Sequence, residues 1–285
     1  MDNSTTTGTT TGTHTLQRQG VISCRFQSWH HSVPALLEKS GLGEIAARQE
    51  TVLIKPNLVE TLAPPITTPA LFVEEIIDYL LAFLPAKRII IGEGCGAKNY
   101  DTHHAFAELG YVDLARRKHI QLIDLNTEKL RRREHPDCSR WPEIYLPEIL
   151  DRVFLLSVPQ LKVHSLSGVT LTMKNMMGCA PPSHYCGGGA WNKSSFHDNI
   201  HHAIFDLNRY RTPDFTLIDA TIGMAQAHLW GPHCKPPVNR LICSFDPVAI
   251  DSYGATLLKR NWRDINHIAM ADTILGEAEA EVVEI

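Results

Sequence analysis

The strongest constraint on the fold is an alternation of short apolar runs with longer amphipathic segments in the first half of the chain. The runs at 51–55, 88–94 and 120–125 have the length and apolar content of buried strands. Segments with helical spacing lie between them, at 69–84 and 101–118. Because parallel neighbours must be joined by crossover helices, this order predicts a parallel sheet with helices on its faces.

The second half continues the pattern, with strands predicted at 151–159, 214–220 and 240–245 and a helix at 199–211. Between the halves, the polar segment 126–150 contains prolines and interrupts the alternation. We therefore predict an α/β fold with a mostly parallel sheet flanked by helices.

The predicted domain spans residues 21–285. The interruption divides it into two lobes, 21–125 and 151–285, and we expect the functional site to lie between them.

Residues 1–20 consist largely of Ser, Thr and Gly and are predicted to form a disordered tail, since they have little apolar area to bury. They also lack the apolar core of a secretory signal. No run of about 20 apolar residues occurs, so no membrane span is expected. The net charge of -4 is spread along the chain and gives no nucleic-acid footprint.

The seven cysteines form no Cys-x-x-Cys pair, and their number is odd. Both features argue against a disulfide scaffold and against a ferredoxin-type cluster held by one compact motif. They fit a protein of the reducing cytoplasm. The oligomeric state is left open by the sequence, and a homo-oligomer is compatible with it.

Polar side chains recur where the predicted strands end, which is where ligands gather in open parallel sheets. The residues in question are Lys55, Asn57, Glu93, Lys162, His164, Asp219 and Asp246. Their recurrence predicts a shared pocket at one edge of the sheet.

The stretch from 162 to 182 is the most specific part of this pattern. Lys162 and His164 are two residues apart, so in an extended segment their side chains share a face. Lys174 and Asn175 are predicted near the end of a short helix at 168–177. Two neighbouring lysines lower each other's pKa, which suits a general base or an anion clamp. The alternative is two surface lysines separated by a core-facing turn.

His197 and His201 are four residues apart, a spacing that places two imidazoles on one helix face, as metal ligands often are. They are the candidate ligands for a nickel, iron or zinc ion. The competing interpretation is chance clustering, because the chain has 15 histidines and no motif such as His-Glu-x-x-His surrounds these two.

An ordered set of motifs carries a family resemblance: "VLIKPNLV", "TTPALFVEEI", "IIIGEG", "VPQLKVHSLSGVTLTMKNMMG", "FHDNI", "LIDATIGM" and "DPVAIDSYGA". From about residue 50 to residue 275 the chain resembles the family catalogued as domain of unknown function 362. Some members carry an appended ferredoxin-like module with clustered cysteines, and this chain lacks such a cluster of cysteines.

A more distant resemblance is to the nickel-pincer lactate racemases, in which a lysine tethers the cofactor and histidines ligate nickel or move a proton. His164, Gly168, Lys174, Gly178 and His197 follow the same order of residue types. The pair that precedes Lys174 is Thr-Met, where the racemases have two glycines.

These observations predict an enzyme that binds a small anionic substrate, a carboxylate or a phosphate, and performs acid/base chemistry of a racemase, isomerase or redox type. The predicted catalytic residues are Lys162, His164 and Lys174. The predicted substrate-binding residues are Lys55, Asn57, Asn175, Asp219 and Asp246. The alternative is a non-catalytic protein that binds a metal or cofactor for electron transfer, and a further one is a scaffold whose polar motif ties the lobes together.

Overall fold

The computed structural model describes residues 20–285, which form one ten-stranded mixed sheet and a separate two-stranded sheet. The tail predicted for residues 1–20 lies, except for Gly20, outside the described residues. The strands in chain order are β1 (Val21–Arg25), β2 (Val52–Pro56), β3 (Ile89–Glu93), β4 (Gln121–Asp124), β5 (Leu130–Glu134), β6 (Glu143–Pro147), β7 (Phe154–Val158), β8 (Gln160–His164), β9 (Gly168–Thr170), β10 (Phe215–Met224), β11 (Arg240–Ser244) and β12 (Val282–Glu284).

Helices cover both faces of the large sheet, which confirms the predicted α/β class. In the described part of the chain they are α1 (Trp29–Ser40), α2 (Leu42–Ala47), α3 (Ala70–Leu81), α4 (Thr102–Glu108), α5 (Tyr111–Lys118), α6 (Thr172–Asn175), α7 (Pro182–Tyr185), α8 (Ile200–Tyr210), α9 (Pro247–Leu257) and α10 (Asn266–Ala271). None of these helices has the length and apolarity that a membrane span needs.

The large sheet has the order β4-β3-β2-β7-β10-β11-β1-β12. Its first five strands, β4 to β10 in that order, are mutually parallel, as the strand–helix alternation predicts. Strand β8 continues beyond β7 along β10, and β9 folds back on β8. Because β2 pairs with β7, the segments 21–125 and 151–285 contribute neighbouring strands to the same sheet.

Side chains of the parallel strands alternate between two apolar cores, one on each face of the sheet. Within β2, Leu53 joins one core, whereas Val52 and Ile54 join the other. This two-residue period is the one that a strand imposes, and it explains why β2 is apolar on both faces. The sheet is therefore buried on both sides, and the loops at its carboxyl edge are left for function.

Two segments differ from the sequence prediction. The helix predicted at 168–177 is divided: Gly168 adopts a positive φ of 77° that turns the chain, β9 follows, and α6 covers only Thr172–Asn175. Lys162 pairs with Thr170 across this hairpin. Within the polar segment 126–150, predicted to interrupt the alternation, residues 130–134 form β5, because cross-strand pairing with β6 decides their conformation.

Asp246 lies at the edge opposite the carboxyl ends of the parallel strands, because β11 runs antiparallel to β10. It is the N-cap of α9, as the Asp-Pro sequence predicts: its carboxylate accepts hydrogen bonds from the amides of Val248 (2.8 Å) and Ala249 (2.9 Å). It also accepts one from the amide of Glu277 at 2.8 Å. The structure thus separates Asp246 from the predicted pocket.

We predict that Asp246→Ala lowers the free energy of unfolding by about 1–2 kcal/mol, the usual cost of losing an N-cap. Asp246→Asn keeps an acceptor oxygen and is expected to lose less. Urea unfolding monitored by circular dichroism measures both variants. A change of Asp246→Ala that leaves the unfolding free energy unaltered would contradict the capping role.

Candidate functional site

A cavity of about 80 Å³ lies at the carboxyl edge of the parallel strands. A water molecule needs about 10–15 Å³ of such volume, so the cavity has room for several waters or one small organic molecule. Its lining residues are Asn57, Val59, Glu93, Gly94, Gly96, Lys162, Thr170, Lys174, Asn175, Met177, Gly178, Trp191, Lys193, His197 and His228. Five of the predicted site residues, Asn57, Lys162, Lys174, Asn175 and His197, are among them.

The floor of the cavity contains a buried ion pair between the ends of β2 and β3. The Lys55 ammonium, fully buried, lies 2.9 Å from both carboxylate oxygens of Glu93. It also donates to the carbonyl of Pro56 and to Oδ1 of Asn175, each at 3.1 Å. Since an ammonium has three hydrogens, these acceptors saturate Lys55. Lys55 was predicted as a substrate-binding residue, and the structure gives it a counter-ion within the protein.

Gly178 is required by this ion pair. A Cβ at position 178 would overlap the Glu93 carboxylate and the Lys55 ammonium. The backbone of the Lys-Asn-x-x-Gly motif therefore packs directly on the ion pair, which a larger residue would displace.

The two predicted asparagines connect the ion pair to the motif. Asn175 donates to the hydroxyl of Ser157 at 3.0 Å, and its Oδ1 accepts from both Lys55 and Asn57. Asn57 in turn accepts a hydrogen bond from the Lys162 ammonium at 2.5 Å. The side chains at the ends of β2, β7 and β8 thus form one continuous hydrogen-bond network.

Lys162 is fully buried without a carboxylate partner among the described residues. Its ammonium donates to Asn57 and to the carbonyl of Ile66, at 2.6 Å, which leaves one hydrogen without an acceptor. Burial, and then the charge of Lys174, lower the pKa of Lys162 to about 7.

Lys174 and Lys193 are two further cations at the cavity. Burial lowers the pKa of Lys174 to about 8 and that of Lys193 to about 8. The Lys193 ammonium donates to the carbonyl of Gly178 at 2.8 Å. In the part of the chain that the structure describes, the Lys174 ammonium has no hydrogen-bond partner.

Three histidines lie beside these lysines. The His164 ring stacks on His228, with centroids 4.0 Å apart, and the His197 ring lies 6.4 Å from His164. Burial and then the charge of Lys174 lower the pKa of all three rings, that of His228 to about 3. These imidazoles are therefore neutral near pH 7.

The tautomer of His164 follows from its contacts. Its Nδ1 accepts hydrogen bonds from the amides of Leu166 (3.0 Å) and Ser167 (3.2 Å), so the proton is on Nε2. Among the described residues, Nε2 of His164 and Nδ1 of both His197 and His228 are buried without a partner. Unpaired buried polar atoms are rare in folded proteins, so three of them beside one cavity mark it as a candidate functional site.

Asp251 holds the first turn of α6, the helix that carries Lys174. Its carboxylate, fully buried in α9, accepts hydrogen bonds from the first amides of α6, Thr172 (2.8 Å) and Met173 (3.0 Å). Burial raises the pKa of Asp251 to about 7. The Asp-Pro-x-Ala-x-Asp motif thus acts through its second aspartate on the helix that carries Lys174.

Asp219 and His201 are outside the cavity. Asp219 is buried within β10, where it accepts from Gln160 (3.2 Å) and from the amide of Thr221 (2.9 Å), and burial raises its pKa. His201 contacts His267, with Nδ1 atoms 3.1 Å apart.

The two candidate metal ligands, His197 and His201, therefore lie on different elements. The short turn that ends at His197 is separated from α8 by Asn199, which has a positive φ of 51°. Within residues 20–285 no group of three His, Cys, Asp or Glu side chains is arranged to hold a metal ion. The residues present do not fit a metal centre, and we derive no chemistry through one.

The sequence analysis singled out neither Lys193 nor Thr170, whereas Glu93 was among the strand-end residues predicted to form the pocket. Lys193 and His228 lie in loops whose partners are distant in sequence, so no spacing pattern marks them.

These features define an α/β protein of the open-sheet type, with a cavity at the carboxyl ends of its parallel strands. The chain belongs to the family described as domain of unknown function (DUF362), whose model matches residues 52–256. This match confirms the family predicted from the ordered motifs. No curated protein matches the chain in sequence.

The solved structures similar to this chain include the lactate racemase apoprotein from Thermoanaerobacterium thermosaccharolyticum, with 14% sequence identity and a TM-score of 0.48. The match covers 82% of this chain and 56% of the racemase, so this chain spans little more than half of the racemase's length. The distant resemblance predicted from the sequence was to this class of protein.

We predict that Glu93→Gln and Lys55→Met each lower the free energy of unfolding by about 3–5 kcal/mol, because each leaves a buried charge or its polar partners uncompensated. The double variant is expected to lose less than the sum of the two, as measured by a double-mutant cycle in urea.

The matched control is the exposed pair Arg116–Asp113, whose N–O distance is 3.0 Å. Arg116→Ala should cost less than about 1 kcal/mol. Losses at Lys55 and Glu93 that are as small as the control, and additive, would show that the ion pair does not hold the site together.

Proposed function

We propose that this protein is an enzyme that binds a small anionic molecule, through a carboxylate or phosphate group, in the cavity at the carboxyl edge of its sheet. The observation that carries the proposal is a charge imbalance. Lys162, Lys174 and Lys193 line the cavity, and Glu93, the one carboxylate among its described lining residues, is already paired with Lys55.

Buried charge without a counter-ion is costly, and proteins retain it mainly where function requires it. The lowered pKa values of the three lysines express that cost. An anion in the cavity would lower the free-energy cost of these cations, because it supplies the negative charge that they lack. Anion binding therefore accounts for the lysines better than a structural role does.

The hydrogens of the lysines also favour an anion with several acceptor oxygens. Lys162 has one ammonium hydrogen without an acceptor, and Lys193 has two, since Gly178 takes only one. Charge-assisted hydrogen bonds from these hydrogens to a carboxylate or phosphate are about twice as strong as neutral ones. We assign Lys162 and Lys193 as the anion clamp.

Acid/base chemistry is assigned to Lys174 and the histidines. A lysine with a pKa of about 8 exchanges protons near neutral pH, as a general base must. His197 and His228 line the same cavity with an unpaired nitrogen each, and His164 fixes the position of His228 by stacking. These groups would move a proton to or from the bound anion, which is the chemistry of a racemase or isomerase.

We predict that small carboxylates or inorganic phosphate raise the Tm of the wild-type protein, and that Lys193→Met and Lys162→Met abolish this effect. Each substitution removes a charge-assisted hydrogen bond of about 1.5–3 kcal/mol, which weakens binding by about tenfold or more. Differential scanning fluorimetry followed by calorimetry measures the loss.

The control is Lys87→Met, an exposed lysine before β3, at the opposite edge of the sheet. It should bind the same anions as the wild type. If Lys162→Met and Lys193→Met bind every stabilising anion as the wild type does, the proposed clamp is wrong.

Anion binding is further expected to take up protons, and to weaken as pH rises. The lysine pKa values of about 7 and about 8 in the free protein rise when the anion is bound, so binding between about pH 7 and 9 is accompanied by protonation. Calorimetry in buffers of different ionisation enthalpy measures the proton number. Binding that is independent of pH across this range would contradict the assignment.

A further inference from the structure

Lys174 differs from the other lysines of the site in its lack of partners. Lys55, Lys162 and Lys193 each donate to at least one acceptor, whereas the Lys174 ammonium has none in the described part of the chain. It nevertheless lines the cavity, on α6, which Asp251 holds in place. Its nitrogen is therefore free to meet a bound molecule.

The surroundings of Lys174 favour its neutral form. Its neighbours in the cavity are the cation Lys162 and the rings of His197 and His228, and its charge lowers the pKa of all three. No carboxylate among the described residues contacts it. Burial lowers its own pKa to about 8, so about a tenth of it is neutral at pH 7. Lys174 is partly exposed to the cavity, and the neutral form of a lysine is the nucleophilic one.

We propose that Lys174 condenses with the carbonyl group of a small oxo acid to form a covalent imine in the cavity. The inference rests on the proposed function, because the acid group of this substrate is held by Lys162 and Lys193. It deepens that function by naming the substrate class.

The step balances within the protein. The lone pair of Nζ attacks the carbonyl carbon, a C–N bond forms, and the carbonyl oxygen takes a proton to give a carbinolamine. The C–O bond then breaks, the oxygen leaves as water after receiving a proton, and C=N forms as Nζ loses its hydrogens to that water. No oxidant or reductant is consumed.

Proton donors for the departing oxygen are present in the cavity wall. The Thr170 hydroxyl is 4% exposed and has no partner among the described residues. His197 and His228 each have a buried unpaired nitrogen, and a neutral imidazole both donates and accepts a proton. Thr170 is thus a hydrogen-bond donor to the carbonyl oxygen. His197 and His228 transfer the protons that this oxygen takes up before it leaves as water.

The test is reductive trapping of the full-length protein with pyruvate and sodium cyanoborohydride near neutral pH, followed by peptide mass spectrometry. Exposed lysines, with an ordinary pKa of about 10.4, stay protonated there, so Lys174 is expected to react about tenfold or more faster than Lys87. Lactate, which has the acid group without the carbonyl, should give no adduct. Lys174→Arg should give none at the cavity, and its folding is checked by circular dichroism.

Site mapping in the wild-type protein decides the outcome without relying on any variant. Reaction at Lys174 above the level of Lys87, suppressed by excess lactate, supports the inference. If pyruvate raises the Tm but no adduct forms at Lys174, the imine is overturned and anion binding stands. If pyruvate, lactate and phosphate all fail to bind, both the imine and the proposed anion-binding function are overturned.

Discussion

The buried ion pair between Lys55 and Glu93 is the contact on which the site depends. It joins the ends of β2 and β3, and the glycine of the Lys-Asn-x-x-Gly motif packs against it. Breaking such a pair leaves one buried charge alone, which is far more costly than removing both. The ion pair therefore fixes where the chain segment that carries Lys174 lies relative to the strand ends.

Once Glu93 is committed to Lys55, no cavity-lining carboxylate in the described residues remains for the other lysines. Glu93 neutralises the charge of Lys55, so the charges of Lys162, Lys174 and Lys193 have no counter-ion among the described lining residues. Their lowered pKa values and the unpaired histidine nitrogens are consequences of this arrangement. A cavity of this composition would complement an anion, as we propose, and Lys174, which has no hydrogen-bond partner among the described residues, is the amine proposed for covalent chemistry.

The sequence was sufficient to predict the parallel sheet, because apolar runs bounded by proline and glycine mark β2, β3 and β7 directly. It also predicted five of the residues that line the cavity, since parallel strands bring Asn57 and Lys162 to one edge. What it missed depends on pairing between distant segments. The antiparallel direction of β11 carries Asp246 to the opposite edge, and the hairpin of β8 and β9 replaces a predicted helix. The contact of Lys193 with Gly178 arises from a loop and has no local signal.

The proposed function requires the cavity to hold an anion between Lys162 and Lys193. An anomalous difference map from crystals grown with bromide tests this requirement. We expect a bromide peak in the cavity within hydrogen-bond distance of both ammonium groups, with its occupancy falling as pH rises above about 8. Bromide sites confined to the protein surface, with the cavity empty of anomalous density, would contradict it.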